Sequence, residues 1–241
     1  MLRKSLTNCA LVTAVILNAG VAQATLNDRG GGLLYDDVLN VTWLQDANYA
    51  KTSGYDVDGA MNWNEATAWA AGLVYDGYDD WRLASNSPVN GSTWNYSTSY
   101  DGTTDWSYNI TTPNSEMAYM YYVNLGLKAY YSPSGIYQPD WGIFGNGTGT
   151  RGDQNDVGLV KNLQSYQYWS GTESALDSSR GWAFVPAGGN QGTDYKFYGF
   201  AAWAVHPGDV AAVPEPEIYA LMLAGLGLLG FTVRRRKNLQ A

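Results

Sequence analysis

The only cysteine in this 241-residue chain, Cys9, falls in a stretch ordered like an export signal, so what folds afterwards must do so without a single disulfide. Arg3 and Lys4 supply the positive start, Leu11–Leu17 the apolar run, and Ala22-Gln23-Ala24 a small-x-small cleavage site. Mature chain is therefore expected from Thr25 onward. The body that remains has no thiol nucleophile and no Cys-based metal site, and with His206 as its one histidine a His-rich zinc site is excluded too. Cohesion must come from buried rings and hydrogen bonds.

The far end has its own order. Val213-Pro214-Glu215-Pro216 precedes an apolar run, Ile218–Val233, and then the basic cluster Arg234-Arg235-Arg236-Lys237. As a helix the run measures about 24 Å, short of the roughly 30 Å hydrocarbon core but able to span it with bilayer thinning or snorkelling flanks. The basic cluster would stay on the cytoplasmic side.

In its three consecutive parts, Val213–Lys237 resembles the PEP-CTERM sorting signal of bacteria that make exopolysaccharide. That resemblance implies recognition of Pro214, Glu215 and Pro216 by an exosortase-type membrane protease, removal of the tail, and release to or attachment at the cell surface. Retention as a single-pass anchor is the alternative. The expected division is signal peptide 1–24, body 25–212 and sorting signal 213–237, with a transmembrane helix at 218–233.

With both ends removed, the body carries eight Lys and Arg against twenty Asp and Glu, about −12, a stronger charge than the −8 of the whole chain. Phosphate backbones need the opposite sign, so nucleic acid is not an expected partner.

Leu33–Tyr35 and Val41–Leu44 read as strands of an opening hairpin around Asp36-Asp37. Asp56-Val57-Asp58-Gly59 reads as a turn, because the further ligands of a calcium loop are missing. Asn62 is placed to cap a helix, with Glu65 returning the bond, and Ala66, Trp69, Ala70 and Leu73 on its buried face. A second helix is expected from Thr112-Pro113 to Leu125. Strands follow at Tyr166–Ser170, Gly181–Val185, Tyr195–Phe200 and Ala202–Val205, with a turn at Ala187–Asn190. Two helices among short antiparallel strands predict an α+β fold.

In Gly77–Leu83, Asp79 and Asp80 suit a turn, and Trp81 and Leu83 share one strand face. Arg82 then points away, a planar fork for a carboxylate such as Glu116 or Glu173. A solvated surface charge is the other reading.

Gly32–Tyr35 with Trp43, the Trp63–Gly72 helix, Gly77–Leu83, Ser115-Glu116-Met117, Tyr168–Glu173, Trp182 and Trp203-Ala204-Val205 together resemble the Lcl C-terminal domain family, across nearly the whole body. The resemblance implies a C-type-lectin-like fold, also related to the formylglycine-generating enzyme fold, and a surface adhesin that binds glycan. His206 departs from the pattern, since members often carry Arg there. The oxidase chemistry of the second relative uses cysteines that this body lacks, so that activity is not implied.

Ser85–Thr111 is rich in Asn, Ser, Thr and Gly. Taking Tyr100-Asp101-Gly102 as a hairpin loop sets Tyr96 opposite Trp106 and Trp94 opposite Tyr108, with Asn95, Ser97, Asp105 and Ser107 on the opposite face. Such a ladder either stacks on sugar rings or packs on the domain. Gln138-Pro139-Asp140-Trp141 matches a short galactose-type lectin signature. With Asp153 and Asp156 following, Asp140 becomes a candidate Ca²⁺ ligand, against a plain loop.

The sequence thus predicts an exported, non-enzymatic module with polysaccharide as partner and no cofactor beyond possible Ca²⁺. Alternatives are a structural matrix protein with no discrete ligand, and a glycan hydrolase whose carboxylates sequence alone does not pair.

Overall fold

The computed structural model describes residues 26–150 and 152–211, together with the single positions 222, 224 and 226. Its body is a mixed α+β structure, mostly strands with few helices. One five-stranded antiparallel sheet has the order Leu26–Gly30, Leu33–Asp36, Val41–Leu44, Ala204–Pro207, Arg82–Leu83. The other runs Asn190–Tyr195, Arg180–Val185, Tyr168–Glu173, Phe200–Ala201, Ala60–Met61, with one parallel pairing, Tyr168 beside Ala201. A single core cluster draws on both sheets.

The chain passes from the second sheet to the first between Ala201 and Ala204, and Trp203 sits in that step, 1 % exposed. Its ring lies 4.6 Å from Trp43 and 6.1 Å from Tyr168, one from each sheet. Its indole N–H donates to the Leu44 carbonyl at 2.7 Å. Trp169 does the same for its own sheet, donating to Met61 O at 3.0 Å and packing on Phe200.

Local chemistry explains several elements. The opening hairpin forms with Leu33 opposite Leu44 and Asp36 opposite Val41. Helix Trp63–Ala71 starts in a capping box, Asn62 accepting from Glu65 N while Glu65 accepts from Asn62 N. Asp56 folds its loop by accepting from the backbone of Asp58 and Gly59. The expected helix from Thr112 is much shorter: an α-helix spans only Glu116–Tyr119 and widens into a π-helix at Met120–Asn124. Asn114 and Ser115 are drawn into a bridge with Asn86 and Ser87 instead, so helix begins only after them.

The hairpin Gln154–Val157 with Val160–Gln164 was not expected. Among the described residues no helix is long and apolar enough to cross a membrane. The transmembrane expectation at 218–233 and the signal peptide at 1–24 lie outside the described residues, apart from helical positions at 222, 224 and 226.

Trp81 and Leu83 are buried on one face, and Arg82 turns the other way to Glu116, both of its terminal nitrogens 2.7 Å from a carboxylate oxygen. Glu116 also accepts from Ser85 N at 2.6 Å, so one carboxylate ties the helix, the strand and the start of the long polar loop together. Glu173, the other expected partner, pairs with Lys196 instead. Arg82 is over a third exposed, which weakens the pair relative to a fully buried one. Arg82→Lys, which keeps the charge and loses the fork, is expected to cost about 1–2 kcal/mol and several degrees of melting temperature; calorimetry showing no change would contradict this.

Asp36 is fully buried at the hairpin turn, accepting from Val38 N, Leu39 N and the Asn124 amide. Burial dominates and raises its pKa above the ordinary Asp value. A carboxyl whose folded pKa exceeds its unfolded one adds stability that is complete below the unfolded value and is lost as pH rises through the folded value. Urea melts across that interval should show wild type losing stability, relative to Asp36→Asn, as pH climbs toward neutral. Parallel stability curves for the two proteins would show that Asp36 does not carry the effect.

Candidate functional site

Asp105 is the organiser of the long polar loop. It is 1 % exposed, and its two side-chain oxygens accept from Val89 N at 2.7 Å and Asn95 N at 2.6 Å, folding the loop around a buried acidic side chain. Ser107, also buried, exchanges bonds with Ser99 and accepts from Gly102 N. Gly102 needs its φ of +77°, and a Cβ there would lie 2.3 Å from the Asn109 carbonyl oxygen.

These contacts replace the expected hairpin. The pairing is parallel, Thr98 beside Trp106 and Ser99 beside Ser107, and of the four residues assigned to the face opposite the rings Asp105 and Ser107 are buried while Asn95 and Ser97 are exposed. Spacing alone set the expected register; the buried carboxylate and the hydroxyl cluster set the real one.

The four ladder rings consequently divide. Trp94 stacks on the fully buried Trp182 at 4.7 Å and Tyr96 on the same indole at 5.6 Å, so both serve as a roof over the core. Trp106 meets Tyr96 edge-on at 6.0 Å. Together with Tyr108, Trp106 lines a groove of about 260 Å³.

Thr98, Ser107 and the strand stretch Asn190–Thr193 complete the lining, with Asn190 bridged to Tyr108. A Cβ on Gly192 would lie 4.0 Å from Trp106 Nε1, which places the pyrrole edge of the indole against the groove. That Nε1 is buried and has no protein acceptor, as is also true of Tyr96 OH and Trp182 Nε1 in the same ring cluster.

A buried polar network fixes the wall. Gln191 is 3 % exposed; it donates to Asp105 O at 3.1 Å and accepts from the Asn86 amide at 2.6 Å and from the Ser115 hydroxyl. Asn86 is held in turn by Thr172 through its backbone N–H and carbonyl. Sequence reasoning singled out neither Asn86 nor Gln191 and gave Asp105 and Ser115 other places, since these four polar residues come from distant segments that only the fold brings together. Burial also raises the Tyr108 phenol above its ordinary pKa, with Tyr131 and Tyr100 adding to the shift.

The three candidate Ca²⁺ ligands are held separately. Asp140 pairs with Lys128, Asp153 accepts from the Thr150 hydroxyl and N–H, and Asp156 accepts from Asn162 N and Lys161 Nζ. Each partner holds its carboxyl below the usual Asp pKa. Among the described residues no group of three or more His, Cys, Asp or Glu converges on a metal position. His206 packs edge-on against Tyr78 and Trp81. The sorting residues Pro214, Glu215 and Pro216 lie outside the described residues.

Residues 212–237 match the PEP-CTERM protein-sorting motif family. The chain therefore carries the sorting tail of an exported cell-surface protein, made as a membrane-anchored precursor with an exosortase as processing partner. Comparison with curated proteins and with solved structures gave no match.

The division of the rings has a measurable consequence. Trp94→Ala uncovers Trp182 and is expected to destabilise the body by about 1–3 kcal/mol, with a red shift of tryptophan emission before unfolding. Unchanged emission and an unchanged melt would show that Trp94 is no roof.

Proposed function

We propose that the exported body is a non-enzymatic glycan-binding module, and that the groove between Trp106–Tyr108 and Asn190–Thr193 is its contact. The observation that carries the reading is a groove bordered by the Trp106 and Tyr108 rings and lined otherwise by uncharged hydroxyls, amides and backbone. Sugar rings present apolar C–H faces to an indole and hydroxyls to its neighbours.

The likeness of the body to the Lcl C-terminal domain family, with its C-type-lectin-like fold and glycan-binding adhesins, supports the same reading. The sorting tail, which directs the body to the cell surface, fits that reading. A hydrolase is less well supported, since glycoside cleavage takes a pair of carboxylates across the bond and no Asp or Glu lines this groove. A purely structural matrix protein leaves the ring-bordered, uncharged groove without a role. Ca²⁺ enters the reading nowhere, because its candidate ligands are engaged one by one.

Gly192 provides the test. The nearest heavy atom to a Cβ there is 3.9 Å away, so Gly192→Ala adds a methyl at the groove without a clash. Affinity electrophoresis of the mature body in gels containing neutral exopolysaccharide should show retardation in wild type, with chelator present, and clearly weaker retardation in Gly192→Ala at an unchanged melting temperature. Equal mobility of the two proteins in every polysaccharide gel would refute the groove as a glycan site.

A further inference from the structure

Tyr108, at the edge of the groove, also belongs to a cluster of tyrosines. Its ring stacks on Tyr100 at 5.9 Å and meets Tyr131 edge-on at 5.4 Å. From Tyr131 the contacts go on to Tyr130 at 4.7 Å and then to Tyr137 at 4.9 Å. The indoles of Trp43, Trp169, Trp182 and Trp203 all converge on the core. This row runs outward, and its outer members Tyr100 and Tyr137 are 42 % and 51 % exposed.

The row is also held in place. The Asn109 amide donates to Tyr100 O at 2.7 Å and to Tyr131 O at 2.9 Å, clamping the two loops that carry the rings. Gly135, at φ +76°, passes under Tyr100 where a Cβ would come within 3.1 Å of the ring. Tyr131 and Tyr137 share a backbone bridge, and the Gln138 amide is anchored on Ala129 O. Rings fixed before a ligand arrives lose little freedom on binding, which is the condition for a stacking surface to add affinity.

We propose that Tyr100, Tyr131, Tyr130 and Tyr137 are further sugar-stacking positions continuous with the groove, so that the body grips an internal stretch of a neutral, linear polysaccharide several units long. This rests on the groove being a glycan site. Successive ring separations of 4.7–5.9 Å suit one sugar per step better than one large compact ligand. Neutrality follows from charge: no Lys or Arg lines the groove, and a body of about −12 repels uronate or sulfate polymers.

Isothermal titration with size-graded oligomers, disaccharide to octasaccharide, of glucose, mannose, galactose and N-acetylglucosamine tests this on the mature body. In at least one series wild-type affinity should rise by about fivefold or more between the shortest binding fragment and the longest. Tyr137→Ala and Tyr100→Ala, both at exposed positions, should remove most of that gain and leave short fragments bound as in wild type. Oligouronates should not bind. Short fragments that bind with no gain on lengthening, or a gain untouched by both substitutions, would overturn the row while leaving the groove standing. If no fragment binds wild type at any length, the groove reading and the row fall together.

Discussion

The fold depends on Trp203. A body with no disulfide has to join its two sheets by burial alone, and the join is made where the chain crosses from one sheet to the other. The indole there packs on Trp43 of the first sheet and Tyr168 of the second, and its N–H satisfies a carbonyl of the strand Val41–Leu44. An aliphatic residue of similar bulk would bury comparable area but leave the Leu44 carbonyl without that donor. Tryptophan supplies both terms at one position, which accounts for how heavily this chain draws on it.

Elements written in local chemistry are legible in the sequence itself. The Asn62 and Glu65 exchange, the alternation at Trp81, Arg82 and Leu83, the opening hairpin and the Gly188-Gly189 turn each follow from residues a few positions apart. What is not legible depends on long-range polar contacts. Asp105 looks like a surface carboxylate in sequence, yet it is the hub of its loop because Val89 and Asn95 aim backbone N–H groups at it. With it, the expected antiparallel ladder gives way to a parallel bridge, and Trp94 and Tyr96 stack on Trp182. Likewise the helix expected from Thr112 is cut short by a bridge to Asn86 that no periodicity records.

The candidate site follows the same division. Trp106 and Tyr108 are visible as ring residues in a polar loop, but their wall, Asn190–Thr193, comes from a strand far along the chain. Gln191 makes that wall rigid through partners in three separate segments. The result is a groove whose shape is set by buried amides and hydroxyls and whose chemistry toward a ligand is uncharged. Such a surface discriminates by shape and ring stacking, and strong net negative charge adds rejection of polyanions.

The fold is fastened down to its last residues ahead of the sorting tail. Arg29 pairs with Asp209, Thr42 bonds both Gly208 O and Val210 N, and Tyr78 donates to Ala211 O, one residue before the sorting motif begins. A protease acting on the sorting motif thus meets a body whose hydrogen bonding runs up to the residue before the motif. Ala204–Pro207, the last strand in the chain, is an inner strand of the first sheet, so that sheet's centre is filled by the segment that leads directly into the sorting motif.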